Sequence, residues 1–213
     1  MKKMIAALAI MALATAAQAE LLGSWRFANG ASTWTENSSA ANIGQIAVGE
    51  WTRVGLGQAG ASANQFQCNN FVDPANGVQI EILVEDGYQI TGASIGVAGI
   101  NGSNTGAASL QWQLNGVDVA GATMTSANSK SGAQEASLGT IGSGDNYLFC
   151  YSNGGAINGA ASPATAGSTR FYGDATLNGS ITTASPAPVP EPATMSLLGL
   201  GALAMVLRRK LRK

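Results

Sequence analysis

The chemistry open to this sequence is narrow, because its 213 residues include no histidine. A Ser-His-Asp or Cys-His arrangement is therefore excluded, as is a zinc site built on imidazole. The chain has no Gly-x-Ser-x-Gly, and no glycine cluster runs into a Lys-Ser or Lys-Thr pair, so neither a nucleophile elbow nor a P-loop is present. No segment has the carboxylate spacing of a calcium loop. What remains for acid–base work is a pair of carboxylates, as in glycoside hydrolysis. The pairs to weigh are Glu81 with Glu85 and Asp118 with Asp145. Glu81 falls on the polar face of an alternating strand and Glu85 leads into a turn, so both read as surface acids. No catalytic residue, cofactor or metal is implied.

Two other sets of residues carry chemistry. Aromatic rings stack on the apolar faces of sugars while amides read hydroxyls. Of the four tryptophans, Trp25 and Trp112 fall on apolar strand faces and read as core. Trp34 and Trp51 lie in less regular, polar stretches and are the candidate sugar contacts. The two cysteines, Cys68 and Cys150, form no Cys-x-x-Cys. In an oxidising compartment they are expected to pair as a disulfide closing a long loop. The alternative is two separate buried thiols.

The elements that position these residues read as strands. Val78, Ile80, Ile82 and Val84 share one face, with Gln79 and Glu81 opposite. Leu110, Trp112 and Leu114 alternate with Gln111 and Gln113, and Leu21, Trp25 and Phe27 with Ser24 and Arg26. Period two is the pattern of half-buried antiparallel strands. Asp86-Gly87 and Asn115-Gly116 favour the positive φ angles of two-residue hairpin turns. Tyr147 to Tyr151 reads as a further strand. Leu177 to Ile181 reads as the last, with a bulge or bend at Asn178-Gly179. Glycine is abundant, at 28 residues, which suits turns and not long helices. The expectation is an all-β domain over residues 20–181, a jelly-roll-like sandwich of two antiparallel sheets. Residues 182–188, rich in Pro, Ser, Thr and Ala, read as a semi-stiff linker.

Charge is distributed unevenly. Between residues 20 and 188 only Arg26, Arg53, Lys130 and Arg170 are basic, against eleven acids. Such a body repels a phosphate backbone, which excludes nucleic acid as a partner. The remaining basic residues sit at the two ends. Lys2 and Lys3 precede a short apolar run, and Ala17-Gln18-Ala19 is a small-x-small cleavage site before Glu20. This is the layout of a secretory signal peptide over residues 1–19. At the other end, Ala193 to Leu207 is mostly apolar and is followed by Arg208, Arg209, Lys210, Arg212 and Lys213. Fifteen residues make a helix of about 22 Å, short against a bilayer core of ~30 Å. The basic cluster would hold it with the body outside and the charges in the cytosol.

Val189-Pro190-Glu191-Pro192, a Gly-containing apolar run and Arg208-Arg209-Lys210 together resemble the PEP-CTERM sorting signal of Gram-negative bacteria. The resemblance covers residues 189–213. It implies export, an inner-membrane-anchored precursor with a short transmembrane helix, and recognition of Pro190-Glu191-Pro192 by an exosortase-like membrane enzyme that removes or replaces the tail. It also implies association with exopolysaccharide or biofilm. The body resembles the short β-sandwich ectodomains that precede such signals, which suggests a fold and no activity. The expected function is that of a non-enzymatic surface or matrix protein. A carbohydrate-binding module is the alternative, with exopolysaccharide as its partner, and a carboxylate-based hydrolase comes last.

Overall fold

The computed structural model describes residues 19–26, 35–36, 44–58, 65–129 and 131–184. Ala17, Trp34, the Val189–Pro192 motif and the basic cluster from Arg208 lie outside them, as do the expected signal and tail helices. Every regular element among the described residues is a strand. In chain order these are β1 (Glu20–Arg26), β2 (Thr35–Glu36), β3 (Ile46–Val48), β4 (Thr52–Val54), β5 (Gly57–Gln58) and β6 (Gln65–Asn69). There follow β7 (Gly77–Val84), β8 (Tyr88–Gly102), β9 (Ser109–Leu114), β10 (Val117–Thr125), β11 (Gln134–Ile141), β12 (Gly144–Ser152) and β13 (Ser168–Thr183).

They build two sheets. One runs β11-β8-β13-β1-β2, with β6 also on β13 and β5 beyond β6. The other runs β10-β9-β12-β7-β3, with β4 also on β7. Every pairing is antiparallel. The 16-residue β13 organises the first sheet. One edge of it pairs with β8, and the other is shared by β6 and then β1. The all-β, two-sheet expectation is met.

Alternation explains the core. On β7, Val78, Ile80, Ile82 and Val84 are buried, while Glu81 and Leu83 are exposed. Fully burying such a side chain stabilises by roughly 1.5–3 kcal/mol. The inward residues of both sheets form one cluster that includes Trp25, Trp112, Phe66 and Phe171. Trp51 lies at its centre. Its ring makes edge-on contacts with Trp112 of the second sheet at 5.8 Å, and with Phe171 at 5.4 Å and Trp25 at 5.9 Å in the first.

The two Gly-containing turns behave differently. Asn115 and Gly116 have φ of 53° and 79° and join β9 to β10 as a hairpin. Asp86-Gly87 also makes a tight turn, with Gly87 at φ 85° and Tyr88 N–H bonded to the Glu85 carbonyl at 3.1 Å. No hairpin follows, because β12 occupies one edge of β7 while β3 and β4 occupy the other. The chain therefore crosses to the first sheet as β8. At Asn178/Ser180 the register of β13 shifts, which is the expected bulge. β13 also runs two residues beyond the expected domain end. Thr182 and Thr183 pair with Gln89 and Tyr88 and belong to the sheet, not the linker.

Candidate functional site

Of the two sequence-derived sugar contacts, Trp51 is ruled out. Trp51 is fully buried, so its ring face is closed to any ligand. The error has a physical origin. Trp51 sits among Gly49, Glu50, Thr52 and Arg53, a neighbourhood that looks like surface, yet its ring points between the sheets, as does Arg53, whose guanidinium lies 4.1 Å over the buried Phe66 ring. Trp34 lies outside the described residues.

The carboxylate pairs do not converge either. Glu81 and Glu85 are four positions apart along one extended segment, about 13 Å at ~3.3 Å per residue. Asp118 pairs with Gln113, which stands opposite Phe149, so it is four positions along β12 from Asp145 and a further strand away. Paired glycosidase carboxylates lie within ~10 Å. Among the described residues no group of three or more His, Cys, Asp or Glu is placed to hold a metal ion.

The expected disulfide is absent in this structure: Cys68 and Cys150 are free thiols, both fully buried. They come from opposite sheets, Cys68 on β6 and Cys150 on β12. Burial pushes the Cys68 thiol up to about 12, opposed by the nearby Arg53 guanidinium. Burial also raises Cys150 well above the usual range, and the proximity of Cys68 raises it further. The two sulfurs thus share one dry region of the core. Joining them requires an oxidant to take two electrons and two protons, and the chain carries none.

The described surface does hold one organised set of side chains, on the outer face of the second sheet. β12 is central there, flanked by β7 and β9. Asn146, Leu148, Cys150 and Ser152 point inward and are buried. Tyr147, Phe149 and Tyr151 therefore point outward, at alternate positions of one strand. Their cross-strand neighbours are Glu81 and Gln79 on β7 and Gln113 on β9. The Tyr147 hydroxyl donates to Glu81 Oε1 at 3.3 Å. The Tyr151 hydroxyl donates to the Asp118 carboxylate at 3.0 and 3.1 Å, and Gln113 Nε2 donates to the same group at 3.0 Å. Both phenols are held above their ordinary pKa, Tyr147 mainly by the Glu81 charge and Tyr151 mainly by burial.

The start of β12 is pinned from within. Buried Asn146 donates to the carbonyls of Gly142 and Gly144 at 2.9 Å each, and its own oxygen accepts from Asn115 Nδ2 at 2.9 Å. Asn115 Oδ1 in turn accepts from Tyr147 N–H at 2.8 Å. One asparagine of the β9–β10 hairpin therefore fixes where the aromatic row begins.

Gly77 makes room for the middle ring. A Cβ there would lie 2.5 Å from the Phe149 ring and would collide with the Cys150 carbonyl oxygen. Gly77→Ala is expected to destabilise the protein by about 1–3 kcal/mol, as overpacking does. It should also lift Phe149 off the sheet. A lower urea midpoint together with a changed near-ultraviolet circular dichroism signal would report both. An unchanged midpoint would contradict the seating of this ring. The row was hard to foresee from sequence, because Tyr, Phe and Tyr alternate with Leu and Cys and either phase of the strand looks apolar.

Comparison with known proteins adds information at the tail. A family profile described as the PEP-CTERM protein-sorting motif matches residues 188–210. No curated protein matches the chain significantly. Among solved structures, an acetyl xylan esterase from the rumen bacterium Butyrivibrio proteoclasticus is similar at 13% identity and a TM-score of 0.32, over 70% of this chain and 33% of that one. A family two carbohydrate esterase from Clostridium thermocellum, in complex with cellohexaose, is similar at 16% identity and a TM-score of 0.25, over 57% of this chain and 34% of that one. The chain spans about a third of the length of each. The profile match and the Val189–Pro192, apolar and Arg208–Lys210 sequence agree, and residues 188–210 are a PEP-CTERM protein-sorting motif.

Proposed function

We propose that this chain is an exported, non-enzymatic surface or extracellular-matrix protein, delivered through an exosortase-type sorting pathway. The observation that carries the reading is the sorting motif at residues 188–210. The leader at residues 1–19 sends the body across the inner membrane. The apolar run then stops transfer, and Arg208, Arg209, Lys210, Arg212 and Lys213 stay on the cytosolic side. This holds Pro190-Glu191-Pro192 at the outer edge of the bilayer, where a membrane-embedded enzyme acts on it. An association with exopolysaccharide or biofilm fits such a route. The separation of the candidate carboxylate pairs supports a body without hydrolytic chemistry.

Replacing Pro190, Glu191 and Pro192 together by alanine is expected to leave the chain in the inner membrane as an unprocessed precursor. Fractionation and immunoblotting would show the shift. The same surface distribution with and without the motif would overturn the reading.

Export also bears on the cysteines. The route passes through an oxidising compartment, and Cys68 and Cys150 are both buried, one from each sheet. In the mature exported protein these two thiols are joined by exchange with an external disulfide, which takes up the two electrons and two protons and leaves as a pair of thiols, during folding and before burial shields them. The bond would close a loop of roughly 80 residues and stabilise by about 4–5 kcal/mol in the chain-entropy account.

A further inference from the structure

We propose that the outer face of β12 binds a neutral oligosaccharide, with Phe149 and Tyr151 as a stacking platform and Tyr147 extending it. Neither ring pair nor face is part of the sorting reading, and the two stand or fall separately.

The geometry of the rings carries the argument. Alternate residues on a strand are ~6.6–6.8 Å apart. The Phe149 and Tyr151 centroids are 6.3 Å apart and their planes differ by only 16°. The rings therefore lie side by side along the strand with nearly parallel faces. They lie down on the sheet and do not stand off it. The tip of Phe149 covers Gly77 on the neighbouring strand. The Tyr151 hydroxyl reaches Asp118 on β10, beyond β9, two strand spacings away at ~4.8 Å each. A tyrosine reaches that far only when laid along the surface, and this turns a ring face to solvent. Phe149 and Tyr151 are half-buried, and Tyr147 is 41% exposed.

The border of the platform selects the ligand. Gln79 and Gln113 flank Phe149 from either side. Glu81 and Asp118 already accept from the two tyrosine hydroxyls and retain lone pairs for further donors. A surface with flat apolar faces and a rim of amides and hydrogen-bond acceptors suits a molecule with an apolar C–H face edged by hydroxyl donors, which is a pyranose. The same carboxylates, with Asp145 near Tyr147, repel uronate, sulfate and phosphate groups, so the glycan is neutral. A protein partner fits less well. Protein interfaces deplete charge at their centre and bury ~800 Å² per side. Here the apolar strip is one strand wide, and carboxylates stand beside it.

The test uses the full-length chain purified in detergent. Titration calorimetry would be run against cellohexaose, laminarihexaose and chitohexaose, with an alginate hexamer as the anionic control. Binding to at least one neutral oligosaccharide, and none to alginate, is expected. Tyr151→Ala is expected to weaken it at least about tenfold. Phe149→Leu keeps bulk at the site but removes the flat face, and the same loss is expected with the fold intact by circular dichroism. Tyr151→Phe keeps the ring and is expected to retain binding to within about threefold. The proposal is overturned by an absence of binding to all three neutral glycans, by preference for alginate, or by binding that survives both Tyr151→Ala and Phe149→Leu. A protein partner lost with the same variants, in the absence of glycan binding, would also overturn it.

Discussion

Trp51→Ala is expected to cost about 4–5 kcal/mol, a large share of the protein's stability. Truncating a buried aromatic to alanine typically costs 3–5 kcal/mol, and this site belongs at the upper end. The ring is fully buried and contacts Trp25, Phe66, Trp112 and Phe171 at centroid distances of 5.4 to 6.1 Å. Edge-on aromatic pairs contribute roughly 0.5–1.5 kcal/mol each beyond burial. Its partners come from both sheets, so the cavity would lie on the plane that holds the sandwich together. Domains of this kind have only ~5–15 kcal/mol in total. Urea unfolding followed by tryptophan fluorescence would measure the loss. Trp51→Phe keeps part of the packing and should cost about half as much. If Trp51→Ala lowered stability by less than about 1 kcal/mol, the ring would not be the hub described.

The second large effect is alkaline, and it depends on redox state. In the reduced protein Cys68 titrates at about 12, against an ordinary value of 9.0. Below pH 9 the thiol is protonated in both folded and unfolded chains, and its contribution is complete. Between pH 9 and about 12 the unfolded chain sheds the proton while the folded one keeps it, so stability falls as pH rises. The loss is about 1.4 kcal/mol per pH unit from Cys68, and Cys150 shifts in the same direction. From pH 8 to pH 10 the reduced protein is therefore expected to lose about 1.4 kcal/mol from Cys68, with a further loss in the same direction from Cys150. A Cys68–Cys150 disulfide has no proton to lose, so protein isolated from the cell surface should escape this loss. Tyr147 and Tyr151 are also shifted up and weaken both forms alike above pH 10. Urea midpoints at pH 8 and 10, with and without reductant, separate the cases. An equal loss in both would mean that the exported protein keeps free thiols.

Much of this architecture was legible in the residues. On β7 and β9 branched and aromatic side chains alternate with Gln and Glu, and polar contrast of that strength leaves only one phase. Asn115-Gly116 marked a hairpin because the turn needs the positive φ that glycine supplies, and Asn178-Gly179 marked a bulge at a position where a Cβ would collide with Ile90. The readings that failed needed information from distant parts of the chain. Asp86-Gly87 has the composition of a hairpin, but both edges of β7 are taken by strands remote in sequence. Trp51 looks exposed beside Glu50 and Thr52, and only the sheet opposite shows that it is enclosed. The Tyr147–Tyr151 row gave no contrast between its two faces, so the aromatic platform became visible only with its neighbours in place. The tail presents the reverse case. Its message is carried by the order of a tripeptide, an apolar run and a basic cluster, and needs no fold to be read.

The most direct test of the sorting account is the mass of the mature chain taken from the cell surface. Its C-terminal peptide should end at or near Pro190-Glu191-Pro192, with Arg208, Arg209, Lys210, Arg212 and Lys213 missing, and its N-terminus should be Glu20. A surface-located chain with all five terminal basic residues still attached would contradict it.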